Sequence, residues 1–130
     1  MVSAELLWQC VKKTNCFLKK SNGIILTSEP LNLTQKNTLR HSGLCHKQPV
    51  GLSLVGNNCA VKLSYKQKAG RKMRYPKRVI ASKKFPKTHK KTKEIQRLVA
   101  AQRPDLVRIA EKRFHKMCKT SPIEVESEEE

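Results

Sequence analysis

Apolar residues along the chain fall into two rhythms. Near the start they recur at helical spacing: Leu6, Leu7, Cys10 and Val11 share one side, Ser3 is placed to cap the first turn, and Trp8 sits close by. A helix with that inward face is predicted, ending by Asn15. The period then shortens. Cys16 to Lys20 and Ile24 to Ser28 flank Ser21-Asn22-Gly23, whose Asn-Gly pair supplies the positive φ that a tight hairpin turn requires. A second hairpin is predicted from Val50 to Val55 and from Ala60 to Lys66, turning at Gly56-Asn57-Asn58. Its returning strand alternates Val61, Leu63 and Tyr65 with Lys62, Ser64 and Lys66, one face for a core and one for solvent or a ligand. From Gln67 to Lys91 the apolar pattern lapses, and Gly70, Pro76 and Pro86 interrupt regular structure. Helical spacing returns at Thr92, a candidate cap for a segment burying Ile95, Leu98 and Val99. Pro104 suits the first turn of a further helix running to about Lys119, in which Leu106, Ile109, Ala110, Phe114 and Met117 share a side.

The fold class implied is α+β: an N-terminal helix packed on a small antiparallel sheet, an extended arm, and two C-terminal helices. The expected divisions are 1–66 for the α+β domain, 67–91 for the arm, 92–120 for the helices and 121–130 for a tail. With 38% apolar residues and six aromatics, the chain suits a small core with extended surroundings better than a compact enzyme domain.

Charge sharpens the picture. Of the 28 lysines and arginines, twenty-one lie between Ala60 and Thr120, where the only acids are Glu94, Asp105 and Glu111, so that stretch carries +18. Residues 1–59 add +5, and the last ten, with five glutamates and no base, take −5 away. A block so basic requires a polyanion. Nucleic acid is the commonest inside cells and rewards basic protein by releasing counterions, while an anionic membrane surface or a plain solvated face are the other readings. No stretch approaches the roughly 18 apolar residues of a membrane span, and Met1 to Gln9 has no basic leader, so a protein of the cytosol or nucleus without a membrane partner is expected.

The candidate contacts follow from the charge. They are Lys66 at the end of the second hairpin and, in the arm, Lys68, Arg71, Lys72, Arg74, Lys77, Arg78, Lys83, Lys84, Lys87, Lys90 and Lys91. This arm repels itself, and its ordering is expected to come from a partner. Tyr75 and Phe85 are interleaved with the charge, either to stack on unpaired bases or to pack as ordinary aromatics. Lys93, Arg97 and Arg103 continue the set through the first C-terminal helix. In the last helix Arg108, Lys112, Lys116 and Lys119 fall within about 80° of one another at 100° per residue. Lys36, Asn37, Arg40 and His41 lie in a polar connection and add a further group, with Asn37 suited either to a base or ribose hydroxyl or to capping its own turn.

Catalysis finds little support: the basic zone has no paired carboxylates, and neither GxxxxGK[ST] nor GxGxxG occurs. Cys45 and His46 are neighbours in sequence, which does not place them as nucleophile and base. Five cysteines, Cys10, Cys16, Cys45, Cys59 and Cys118, contain no CxxC pair. They read as reduced apolar side chains rather than a disulfide framework or a zinc site. No cofactor and no small-molecule substrate are expected. A duplex-reading DNA module is poorly supported, since only Gln96 and Gln102 suit base edges, whereas a non-specific nucleic-acid chaperone is compatible with the charge.

Several short words recur in order. Ser3-Ala4-x-Leu6-x-Trp8, Asn15-x-Phe17-Leu18-x-Lys20, Ser28-Glu29-Pro30-x-Asn32-Leu33, Asn37, Gly43-Leu44-x-His46 and Val50-Gly51 resemble the eukaryotic large-subunit ribosomal protein L-twenty-eight family (e-type). Arg103-Pro104-Asp105-Leu106 is similar to that family's entry into its last helix. The resemblance covers residues 3–118 and implies an α+β domain embedded in large-subunit ribosomal RNA beside neighbouring ribosomal proteins. It also implies a structural role and passage through the nucleolus during assembly. The acidic tail, Glu124 to Glu130, departs from the basic C-terminus expected of the family. Cys16, Cys45 and Cys59 also resemble the related nucleolar assembly factor Mak-sixteen, whose N-terminal domain carries a cysteine cluster; the positions after Cys45 read His46, Lys47, Gln48 and Pro49, without that factor's paired cysteine.

Overall fold

The computed structural model describes residues 2–67 and 74–120. In chain order they form helix α1 (Ala4–Val11), strands β1 (Leu18–Ser21) and β2 (Ile24–Thr27), strands β3 (Val50–Val55) and β4 (Ala60–Lys66), a one-turn helix α2 (Pro76–Val79), strand β5 (Ile80–Pro86), and helices α3 (Thr92–Gln102) and α4 (Val107–Cys118). Strands β1 and β2 make a two-stranded sheet, and β3, β4 and β5 a three-stranded one in that order, antiparallel throughout. The fold is mixed α+β, as the hydrophobic pattern implies. Among the described residues no helix is long and apolar enough to cross a membrane.

Both hairpins form where the Gly-Asn clusters place them. Asn22 and Gly23 take φ of 48° and 75°, and Gly56, Asn57 and Asn58 are all left-handed as well. Register then decides which side chains share a face. Val50, Leu52 and Leu54 lie opposite Tyr65, Leu63 and Val61, and Phe85 lies opposite Val61. Helices α3 and α4 cover that face with Ile95, Val99, Leu106, Ala110, Phe114 and Met117, which join Leu33, Val50, Leu52, Val61, Leu63 and Phe85 in one buried cluster. Each large apolar side chain so buried contributes about 1.5–3 kcal/mol.

Three expectations need correction. Residues 67–91 are not without regular structure: Ile80–Pro86 pairs along the whole of β4, from Ala60↔Pro86 to Lys66↔Ile80. The ladder and the burial of Phe85 outweigh the repulsion among lysines. Pro76 and Pro86 stand at element ends, where a missing N–H costs nothing. Thr92 does not cap α3: Lys91 holds the cap position and Thr92 Oγ1 instead donates to His89 O at 2.7 Å. The inward face predicted for α1 is also wrong. Ser3 Oγ does accept from Leu6 N at 3.2 Å, but the helix buries no residue; Leu6 is 58% exposed, and Leu7 and Cys10 are exposed too. Helical period reports an amphipathic face, not what covers it, and α3 and α4 already fill the sheet.

The connection from β2 to β3 is held by buried polar groups. Glu29, 3% exposed, accepts from Thr27 Oγ1 at 3.1 Å and from Gly43 N at 2.8 Å. Asn32 Oδ1 accepts from Thr34 N and Gln35 N, while its Nδ2 donates to Lys36 O. Gly43 and Gly51 both press on the backbone of residues 30 and 31: a Cβ at Gly51 would lie 2.1 Å from Pro30 O, and one at Gly43 2.5 Å from Leu31 O. Any side chain at either position would force this connection off the sheet.

Candidate nucleic-acid interface

Because α4 and the residue before it turn Leu106, Ala110, Phe114 and Met117 into the core, Arg108, Lys112, Lys116 and, just past its end, Lys119 must point away from it. All four are exposed, and none is ion-paired with another described residue. The sheet presents a second basic surface. On the face opposite the core, Lys62 of β4 stands directly across from Lys84 of β5. Like charges at paired positions destabilise a sheet, so this placement favours an anion above them. Sequence alone does not single out Lys62 as a contact; the alternation of β4 marks it as outward-facing, but its partner is visible only with the pairing of β5. A third group lies around α2, where Arg74, Tyr75, Lys77 and Arg78 are all exposed and the Arg78 guanidinium sits 5.1 Å from the Tyr75 ring centroid. Lys68, Arg71 and Lys72 lie outside the described residues.

Three other candidate cations, Lys83, Lys87 and Lys91, already have partners. Phe85 is 2% exposed in the core and has no face left for a base, which settles it as a packing aromatic. Lys83 and Lys91 both hydrogen-bond Glu94, and the Lys83 bond above all holds that carboxyl below the usual range. Lys87 Nζ donates to Thr120 O at 2.7 Å and so ties the end of α4 to the strand side. Lys90, Lys93 and Arg97 are exposed around α3, and Lys66 is half-buried at the end of β4.

The group at 36–41 is only partly turned outward. Lys36 is exposed, but Asn37 Nδ2 donates to Lys12 O at 2.8 Å, anchoring the connection to the end of α1. Burial, followed by the charges of Arg40, Lys36 and Arg103, pushes the His41 imidazole below its ordinary range. Arg40 and Arg103 share Asp105. Arg103 Nε and Nη2 reach the two carboxylate oxygens at 3.1 and 2.8 Å, Arg40 Nε lies 3.7 Å from Oδ2, and Arg103 Nη2 also donates to Arg40 O at 3.2 Å. Their first task is to fasten the 40s connection to the turn before α4.

This tie has a pH signature. The hydrogen bonds from Arg103 hold the Asp105 carboxyl below its ordinary range. A depressed carboxylate contributes stability that is present above its unfolded value, about 3.9, and is lost as pH falls through the folded one. Because Asp105 is 42% exposed, screening limits that contribution to about 1 kcal/mol. Asp105→Asn is therefore expected to lower the urea-unfolding free energy by about that amount at pH 7. The difference from wild type should shrink toward zero as pH falls through the folded value; a gap constant across pH contradicts the assignment.

Among the described residues no group of three or more His, Cys, Asp or Glu side chains is placed to hold a metal. Cys45 is buried, its Sγ accepting from Ser42 Oγ at 3.8 Å, whereas Cys16 and Cys59 are exposed. The cysteine cluster on which the assembly-factor resemblance rests therefore has no counterpart among the described residues.

The model of the Ribosomal L28e protein family matches residues 6–120. Large ribosomal subunit protein eL28 of Dictyostelium discoideum is 31% identical over 118 residues, 89% of this chain and 86% of that protein. The protein of the same name from Trypanosoma cruzi is 34% identical over 120 residues, 91% of this chain and 77% of its own length. A fission-yeast relative, from Schizosaccharomyces pombe, is 43% identical over a shorter 54 residues, 39% of this chain and 40% of that one. With a match that spans the sheet, both C-terminal helices and their basic faces, the chain belongs to the Ribosomal L28e protein family.

Proposed function

We propose that this large-subunit ribosomal protein is a structural constituent that binds and stabilises folded ribosomal RNA through its basic surfaces. The observation that carries the reading is the outer face of α4, with four exposed cations and no acid paired to them among the described residues. Lys62 and Lys84 lie on the opposite side of the two-layer domain, so RNA segments on both flanks would be neutralised at once. Phosphate contacts of this kind fix position and orientation, while the shape of the folded RNA decides where the protein sits. The reading includes neighbouring large-subunit proteins as further contacts, residence on the ribosome with passage through the nucleolus during assembly, and no chemistry, cofactor, small-molecule substrate or membrane. The split into a folded N-terminal part, a basic segment at 67–91, a helical 92–120 and an acidic tail stands within the same proposal, amended so that β5 belongs to the sheet.

Replacing Arg74, Lys77 and Arg78 together by Glu tests the role of the exposed turn around α2. All three are exposed, so circular dichroism and the urea midpoint should stay at wild-type values. Incorporation of the tagged variant into large subunits should be lost. Normal incorporation defeats the role assigned to this segment.

A further inference from the structure

We infer that the cleft between α1 and the 44–48 connection seats an unpaired nucleotide of an RNA strand. The cleft has a volume of about 560 Å³, within the roughly 300–1,000 Å³ range of pockets that take small-molecule-sized groups. One wall is apolar. Val2 and Leu7, at the start of α1, face Leu44, and the three are 58%, 36% and 44% exposed. Exposed aliphatic side chains gathered in one concavity are better covered than left in water. The rim is cationic, with Lys66 and Arg103 brought from two separate stretches of chain, and no described acid lines the cleft. Asp105 bonds Nε and Nη2 of Arg103, which leaves the Nη1 side of the guanidinium to an incoming anion.

Apolar wall and cationic rim together select the occupant. An apolar protein segment would satisfy the wall but not the cations, and a duplex backbone would satisfy the rim but offers no flat apolar group to the wall. A single extruded nucleotide has both: its base lies against Leu7 and Leu44, and its phosphate meets Lys66 and Arg103. Unpaired bases splayed from loops and bulges are the features that proteins read on RNA. The inference rests on the reading of the chain as an RNA binder and adds to it a place where single-stranded RNA is distinguished from duplex. Lys66 shares the outward side of β4 with Lys62, four residues further along, and none of the cleft residues lies on the α4 stripe.

The test uses the purified full chain with two probes, a seven-nucleotide oligoadenylate and a duplex RNA of about 16 base pairs. Leu44→Ser alters an exposed side chain, and Lys66→Gln removes one rim charge; circular dichroism and Trp8 fluorescence check that both variants fold. Each variant is expected to bind the oligoadenylate about tenfold more weakly, while duplex affinity changes less than twofold for Leu44→Ser. Unchanged oligoadenylate binding overturns the proposal and leaves the cleft to a neighbouring protein. An equal loss on both probes for Leu44→Ser also overturns it, since the cleft would then not discriminate. Wild-type protein that binds neither probe defeats the RNA-binding reading itself, an outcome distinct from failure of the cleft alone.

Discussion

Phe114→Ala is expected to lower the unfolding free energy by about 3–5 kcal/mol. Phe114 is fully buried, on the face of α4 that packs into the cluster made with Val61, Leu63, Phe85, Ile95 and Val99. Truncating it forfeits the transfer free energy of the ring and leaves a cavity between sheet and helices that a two-layer core cannot easily collapse. A domain of this size has about 5–15 kcal/mol in total, so much of its stability would go. Urea denaturation followed by circular dichroism measures the loss. A cost below about 1 kcal/mol would mean that α4 does not dock on the sheet as described, and the orientation of its basic face would fall with it.

The second large effect is electrostatic. Converting Arg108, Lys112, Lys116 and Lys119 to Glu lowers the formal charge of +18 by eight units without touching the core. Glu has nearly the helix propensity of Lys and Arg, so α4 should persist, with small penalties from like charges at i,i+4 spacing. Affinity for a large-subunit RNA fragment should fall by a factor on the order of 10³ or more near physiological salt. The slope of log affinity against log salt should become shallower by about 3 to 4, roughly one unit for each phosphate that is no longer neutralised. The corresponding four glutamines separate the removal of positive charge from added repulsion, with the same change of slope and a smaller fall in affinity. An unchanged slope would show that α4 faces solvent in the complex.

How much of this is legible in the sequence depends on how local each cause is. Asn22-Gly23 and Gly56-Asn57-Asn58 turn the chain by their own backbone preferences, and α4 declares its two faces through a period of 3.6, so these elements appear where the pattern places them. Strand β5 depends on a partner edge, and its sequence, with Lys83 and Lys84 beside Phe85, looks like a charged linker until β4 is set beside it. Only the run Val79-Ile80-Ala81 followed by Phe85, bounded by two prolines, hints at it. For α1 the failure is of the opposite kind: the amphipathic signal is strong, but no period reveals that other elements have already taken the core face.

The interface divides the same way. Stripes on α4 and the outward lysine of β4 follow from alternation alone. The contact of Arg40 with Asp105 spans more than sixty residues, and nothing local distinguishes this arginine from one that awaits phosphate. Asn37 and His41 share their polarity, yet one holds α1 and the other has its imidazole pushed below its ordinary range by burial and neighbouring cations. The words that carry the family resemblance now have physical reasons. Glu29 holds Gly43 N, Asn32 builds the turn after it, and Gly43 and Gly51 let residues 30 and 31 approach closely. They specify the connection that supports the sheet, and the basic faces that do the proposed binding are specified by little more than charge.

The central claim is that this chain is a stable component of the large subunit held by RNA. A lysate separated on a sucrose gradient, with the chain followed through large-subunit, monosome and polysome fractions before and after a high-salt wash, tests it most directly. The account predicts stoichiometric presence in all three, persisting through the wash because many contacts on two faces must break together. Confinement to nuclear precursor particles, or release into the soluble fractions by salt, would contradict it.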